Sequence, residues 1–331
     1  MNLADYVNQP LLMENSSTFN NLLNQESSIE EHAPVPAAIT DTGCERELNE
    51  DRYAVVECAS GLAWILCDGM GGVTGGELAA QLAIEAMRRD LENNHKRPVD
   101  SAIKASIIEA NRVIALRRQN PAFASMGTTV VAAIFMGSEV GISHVGDSRA
   151  YLIRDYSIQQ LTHDHTLVQE MVDRGQLKFE EALSHPQAHV LTKCLGSEPG
   201  LEVQAKKYWI WETIGDEPSD MLLLCSDGLY SHVSDAEIAT IVSKATPQTA
   251  CVELVELAKA RGGFDNITIS IIPLAGQLKK EPPVGFDSLN KKISNQTKVS
   301  SSNNWTLFGA ITFFVCILVS LITAGIFLAT L

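Results

Sequence analysis

Thr128-Thr-Val-Val-Ala-Ala-Ile-Phe-Met-Gly-Ser-Glu-Val-Gly-Ile-Ser-His-Val-Gly-Asp-Ser-Arg-Ala-Tyr-Leu-Ile-Arg154 is the stretch that decides the architecture. Apolar runs at 128–136, 140–146 and 149–154 follow one another with only Gly-, Ser- and Asp-containing breaks, which is the pattern of consecutive strands. The run of strands extends to residue 161. Strands arriving in series, rather than alternating with helices, favour antiparallel pairing and an α+β layered domain over a doubly wound sheet. Further strands are expected at 52–58, 62–67, 207–212, 220–226 and 267–273. Helices are expected at 76–93, 99–119 and 247–261, where apolar residues recur at three- and four-residue spacing. In the first of these, Leu78, Leu82, Ala86 and Leu91 share one face and cover the sheet.

The strand ends carry the chemistry. Leu62-Ala-Trp-Ile-Leu-Cys67 runs into Asp68-Gly69, and Met221-Leu-Leu-Leu-Cys-Ser226 into Asp227-Gly228. Val140 to Gly146 precedes Asp147, and Asp265-Asn266 precedes Ile267 to Ile272. Asp-Gly is also a hairpin signal, and any one of these alone reads best as a turn. Carboxylates delivered by several strand ends to one rim repel each other unless a cation lies between them, which outlines an oxygen-ligand metal site. Gly71-Gly72 and Gly75-Gly76 lack the Lys-Ser/Thr of a phosphate loop and depart from Gly-x-Gly-x-x-Gly, so a nucleotide site ranks low.

The chain has 331 residues, 45% hydrophobic and 20% charged, with a formal net charge of -15. Residues 279–331 hold five Lys against two acids, a net of +3, which leaves -18 on residues 1–278. Such a body repels nucleic-acid backbones and argues against a nucleic-acid partner; it suits a protein that concentrates divalent cations. The seven cysteines form no Cys-x-x-Cys pair and several sit inside apolar runs, as expected of free thiols in a reducing compartment.

Four regions are expected. Residues 1–35 form a flexible polar leader, 36–275 one domain mixing strands and helices and 276–304 a polar linker with paired lysines, Lys279-Lys280 and Lys291-Lys292. Residues 305–331 are uncharged over 27 positions, roughly 40 Å as a helix against a hydrocarbon core of about 30 Å, and read as a transmembrane helix. Lys291, Lys292 and Lys298 on its N-terminal side place the body in the cytoplasm, giving a tail-anchored membrane protein.

Taken in order, Arg46-x-x-Asn-Glu50-Asp51, Asp68-Gly-Met-Gly-Gly, Gly127-Thr-Thr, Gly146-Asp-Ser-Arg, Ser226-Asp-Gly-Leu and Asp265-Asn-Ile-Thr resemble the metal-dependent serine/threonine phosphatases of the PPM or PP2C family, in its bacterial form. The resemblance spans roughly residues 37–273. It implies a central antiparallel β-sandwich flanked by antiparallel α-helices, with two Mn²⁺ or Mg²⁺ ions and a third, weaker one at one end. Carried onto this chain, Asp68 bridges the two metals, Glu50 and the Gly69 carbonyl complete one, and Asp227 and Asp265 serve the other. Asp147 helps Asp227 hold the third. Asp51 orients metal-bound water, and Arg46 binds the substrate phosphate, a task suited to a planar guanidinium. Residues 163–194 correspond to a flap that shapes substrate access.

Hard cations held by oxygen ligands activate water for direct displacement at phosphorus, so no Cys or Ser nucleophile is required. No Cys-x-x-x-x-x-Arg loop offers thiol chemistry instead. Two departures from family patterns stand out. Met70 occupies the position where eukaryotic members carry a histidine proposed as general acid, and Lys193 the position of a flap arginine. The expected activity is hydrolysis of phosphoserine and phosphothreonine in proteins, opposing a Ser/Thr kinase at the membrane. The rivals are a non-catalytic phosphoprotein-binding protein and a phosphatase of small metabolites.

Overall fold

The computed structural model describes residues 34–71, 75–182, 184–197, 200–214 and 219–282. Its first half contains strands β1 (Ala37–Asp41), β2 (Arg52–Cys58), β3 (Gly61–Cys67) and β4 (Gly69–Met70), then helices α1 (Gly75–Asn93) and α2 (Val99–Arg117). Strands β5 (Gly127–Thr128), β6 (Val130–Met136), β7 (Glu139–Val145), β8 (Arg149–Arg154) and β9 (Ser157–Gln160) follow. Helices α3 (Leu167–Asp173) and α4 (Phe179–Ala182) lead to β10 (Ala205–Trp211) and β11 (Met221–Cys225). The chain continues through α5 (Asp227–Tyr230), α6 (Asp235–Lys244), α7 (Pro247–Ala260), β12 (Ile267–Pro273) and β13 (Gln277–Lys279).

Two large antiparallel sheets result, one in the order β1-β12-β11-β8-β9 and the other β13-β10-β7-β6-β3-β2, and β4 pairs with β5 in a small third one. The two-residue period of a strand explains how three apolar layers form. Val131 and Ala133 of β6 meet Leu222 and Leu224 of β11 between the sheets. The alternate residues Val130, Ala132 and Ile134 turn outward under α1 and α2, and Leu223 and Cys225 turn outward under α5, α6 and α7. Both faces of each central strand are covered, so these strands read as continuous apolar runs although they are antiparallel.

Besides short elements such as β4, α4 and α5, three were not expected from the sequence. β1 is five residues long and lies along β12, with Ala37 opposite Ile271. The second is α6, whose start is marked by Ser234 and Glu237: the glutamate carboxylate accepts from both the Ser234 N–H (3.1 Å) and hydroxyl (2.7 Å). The third, β13, lies inside the stretch read as linker and pairs with β10, Trp209 opposite Lys279; its Leu278 is buried between the sheets, which carries the compact unit to Lys280. Among the described residues no helix is long and apolar enough to cross a membrane. Residues 1–33 of the expected leader (1–35), most of the linker and the whole of 305–331 lie outside the described residues.

Candidate active site

Register brings the acidic strand ends to one rim. In the six-stranded sheet Arg52 pairs with Cys67, so Glu50-Asp51 enters β2 beside the point where Asp68 leaves β3. Val130 pairs with Val145 next door, and Asp147 follows two residues on. In the facing sheet Cys225 pairs with both Arg149 and Ile269, and Asp41 with Ile267. Asp227, Asp265 and the loop carrying Arg46 therefore reach the same end. Cys67 and Cys225 are fully buried, and burial pushes both thiols up, so the sulfurs nearest the rim stay protonated.

An open cavity of about 510 Å³ lies at this rim, and Glu50, Asp68, Asp147, Asp227, Asp265 and Arg46 all line it. Gly69 also lines it; a Cβ there would lie 2.1 Å from the Gly76 carbonyl oxygen and 2.8 Å from that of Glu50, so only glycine admits this approach. Arg46 donates to Asp265 Oδ2 at 2.7 Å. Asp51 is placed differently: it is 1% exposed, lies behind the cavity wall and accepts a 2.7 Å hydrogen bond from Ser226 Oγ. Ser226 Oγ in turn accepts from the Thr268 N–H at 3.0 Å, tying Asp51 to β12.

The electrostatics are those of charges held together without compensation. Burial, then the carboxylates of Asp51, Asp227, Asp147 and Asp265, push Asp68 well above the usual carboxylate range. Burial likewise drives Asp51 and Asp147 up to about 7, with Asp227 adding to both, and raises Asp265. Asp227 Oδ1 is buried and meets no hydrogen-bond donor among the described residues. As they stand, no three acidic, imidazole or thiol groups among the described residues converge tightly enough to hold an ion; the carboxylates surround a space, with Arg46 drawn to Asp265. A donor set made only of hard oxygens, one of them orphaned, fits hard divalent cations.

Several contributors escape a reading by spacing. Thr128 Oγ1 and the Thr129 N–H both donate to the Asp68 carbonyl, at 2.7 and 2.8 Å, while Thr129 Oγ1 accepts from the Asp68 N–H at 3.1 Å. This gives the Gly-Thr-Thr segment its work. Asn266 Oδ1 accepts from the Glu50 N–H at 2.8 Å, and its amide donates to the Thr42 and Leu48 carbonyls at 2.9 and 3.0 Å. Tyr230 donates to the Asp147 carbonyl at 3.0 Å, beneath the Arg149 guanidinium 3.6 Å above its ring. From the flap, His189 Nδ1 lies 3.2 Å from Asp227 Oδ2, a hydrogen bond that raises the imidazole against the effect of burial. Met70 lines the cavity and offers no proton. Lys193 lines a neighbouring cavity of about 290 Å³ instead.

Residues 45–260 match the family model described as "Protein phosphatase 2C". The chain belongs to the protein phosphatase 2C family. Over 240 residues it is 35% identical to the serine/threonine phosphatase stp of Listeria monocytogenes, covering 70% of this chain and 93% of that one. The structure of the S. agalactiae serine/threonine phosphatase superposes with a TM-score of 0.66 at 32% identity, over 75% of this chain and 100% of the other. The catalytic domain of the serine/threonine protein phosphatase PstP, solved in complex with two manganese ions, gives a TM-score of 0.62 at 34% identity, covering 72% and 96%. This phosphatase fold is therefore the sandwich described above, and the carboxylate rim sits at one end of it.

Proposed function

We infer that this protein hydrolyses phosphoserine and phosphothreonine in other proteins and depends on Mn²⁺ or Mg²⁺ to do so. The observation that carries the reading is one open cavity shared by Arg46 and the carboxylates of Glu50, Asp68, Asp147, Asp227 and Asp265, with Glu47 at the same wall. When bound, two divalent cations would supply the positive charge that lets these carboxylates ionise together, lower the pKa of a water and offset negative charge on the phosphoryl oxygens. Glu50 and the Gly69 carbonyl would hold one cation and Asp227 and Asp265 the other, with Asp68 serving both, and Asp147 with Asp227 would hold a third, weaker one. Arg46 leaves Asp265 to fork onto phosphate oxygens. Asp51 is a positioning residue, held by Ser226 behind the wall. The named relatives are serine/threonine phosphatases, and they support a phosphoprotein substrate for this chain, with a Ser/Thr kinase as its natural counterpart.

Hydrolysis of a phosphothreonine peptide and of a panel of sugar phosphates by the full chain, with Mn²⁺ and again after chelation, tests this reading. Turnover of the peptide that disappears with the metal is expected. Turnover of sugar phosphates alone would replace it with a metabolite phosphatase, and binding without turnover with a phosphoprotein-binding role.

The uncharged run at 305–331, preceded by Lys291, Lys292 and Lys298, supports a C-terminal membrane anchor with the phosphatase unit on the cytoplasmic side. Recovery of the full-length chain in the soluble fraction after cell lysis would overturn the anchor and leave the enzymatic reading intact.

A further inference from the structure

Where β7 ends, the sheet stops supplying hydrogen-bond partners. The register that pairs Val130 with Val145 would next pair Thr129 with Gly146. Thr129 is engaged elsewhere: its N–H donates to the Asp68 carbonyl at 2.8 Å, and its carbonyl accepts from Thr128 Oγ1 at 3.0 Å. Gly146 turns out of the ladder with a φ of +101°, which favours glycine, and a Cβ there would lie 2.7 Å from the Thr129 side chain. The N–H and the carbonyl of this buried residue are left to find partners outside the sheet.

His165 supplies both. Its Nδ1 accepts from the Gly146 N–H at 3.1 Å, and its own N–H donates to the Gly146 carbonyl at 3.0 Å. Accepting from a backbone N–H requires a bare Nδ1, so the ring is neutral and carries its proton on Nε2. Burial, with His144, Lys193 and His163 adding to it, pushes this imidazole down to about 3. The clamp is itself anchored. The His144 ring stacks on it, 4.7 Å between centroids and 4° from parallel, and Asp164, one residue earlier, is bound by Arg149 at 2.6 Å. On the flap side the His165 carbonyl accepts from the Thr192 N–H at 2.8 Å, and Thr166 bridges to Leu191, which lines the active-site cavity.

Asp147 follows Gly146 in the chain, and its own carbonyl accepts from Tyr230 at 3.0 Å. Two ring side chains, neither from the strands that flank it, therefore fix the backbone of Asp147 on either side. A carboxylate ligand depends on such supports behind it for its place. We propose that His165 is a positioning residue, which through its clamp on Gly146 sets the place of Asp147 and with it the affinity of the third, weaker cation position. The inference rests on the metal-dependent reading above. The role needs an acceptor at the place of Nδ1, not an imidazole as such. Asn Oδ1 lies as many bonds from Cβ as Nδ1 does and accepts likewise, whereas Phe keeps a ring to stack on His144 and has no acceptor.

The test is calorimetric titration of the full chain with Mn²⁺, together with amide hydrogen exchange at Gly146 in the metal-free chain. Asp147→Asn should abolish the weakest binding step, which identifies that step. His165→Phe should weaken the same step roughly 10- to 100-fold, leave the tighter steps within about twofold and speed exchange of the Gly146 amide. His165→Asn should keep the weak step within about threefold of the parent and the amide protected. His165→Gln puts its oxygen one bond further out, at the place of Nε2, and should behave as Phe does; it carries the comparison if the Phe variant does not fold. Added to Asp147→Asn, His165→Phe should change the remaining steps by less than about twofold, because the residue it positions is gone. Equal behaviour of the Asn variant and the Phe or Gln variant, equal weakening of every step, or an unchanged isotherm for Asp147→Asn would overturn the proposal and leave the metal-dependent reading intact. A parent chain that binds no Mn²⁺ at all would sink that reading and the proposal with it.

Discussion

Asp147 and Asp164 are both 6% exposed and lie on either side of Arg149, yet the protein treats them in opposite ways. Asp164 receives the Arg149 guanidinium side-on, with Nη2 at 2.6 Å and Nε at 2.9 Å from Oδ2, and Gln160 adds a third donor at 2.7 Å. Asp220, also fully buried, is clamped by Arg154 at 2.6 and 2.7 Å. Asp147 faces Asp227 and Asp68 across the cavity, and its side chain is drawn up to about 7. A buried carboxylate with its own arginine is finished when the chain folds; one left among its like is finished only by something that binds. The contrast separates the scaffold from the site without reference to sequence motifs.

Breaking the uncompensated set should cost the most activity. Asp227→Asn removes the negative charge of the carboxylate that carries the orphaned oxygen and should lower Mn²⁺-dependent turnover of a phosphothreonine peptide on the order of a thousandfold, the several kcal/mol a catalytic ion supplies, with little change in melting temperature. Near-parental turnover would show that the compensation logic is misplaced. The reverse pattern is expected for the compensated set: Arg149→Leu leaves Asp164 buried and unpaired, a loss of about 3–5 kcal/mol in denaturant unfolding. Arg149→Leu/Asp164→Leu should recover much of that.

Smaller effects sharpen the boundary between the two sets. Ser226→Ala frees Asp51 from its hydrogen bond and should weaken Mn²⁺ affinity roughly 10- to 100-fold by calorimetry, as loss of supporting bonds behind a metal site does. The mildest effect is on pH dependence. Asp51 and Asp147 titrate near 7 in the fold and near 4 in the unfolded chain. The metal-free fold therefore holds extra protons between those values, and this contribution to stability fades as the pH rises through about 7. With a chelator present, the melting temperature should fall by a few degrees between pH 6 and pH 8. Saturating Mn²⁺ should remove that fall, and an identical profile with and without metal would argue against the raised carboxylates.

What the sequence showed and what it hid follow from range. The central strands were legible because helices cover both sheets and leave uninterrupted apolar runs such as Val130–Ile134 and Leu222–Cys225. The acidic rim was legible because each aspartate sits next to the end of such a run. β13 hid because three residues carry too few periods to read, β1 because Ala-Ala-Ile-Thr-Asp holds one large apolar side chain, and α6 although its Ser234-x-x-Glu237 start was a usable signal. Ser226, Asn266 and His189 act through single bonds to Asp51, Glu50 and Asp227, at separations of 175, 216 and 38 residues. No local pattern encodes such a bond.

Asn266 has a further consequence. The segment between β1 and β2 has no helix or strand of its own, and yet one side-chain amide from the mouth of β12 binds it at Thr42, Leu48 and Glu50. The segment cannot open by itself as surface loops do. Its Glu50 amide proton should exchange with deuterated water at the pace of the sheet, not of a loop, and Asn266→Ala should release that proton while the amides of β12 stay protected. The loop that presents Arg46 and Glu50 thus borrows its lifetime from the sandwich, and the site persists for as long as the sheet beneath it does.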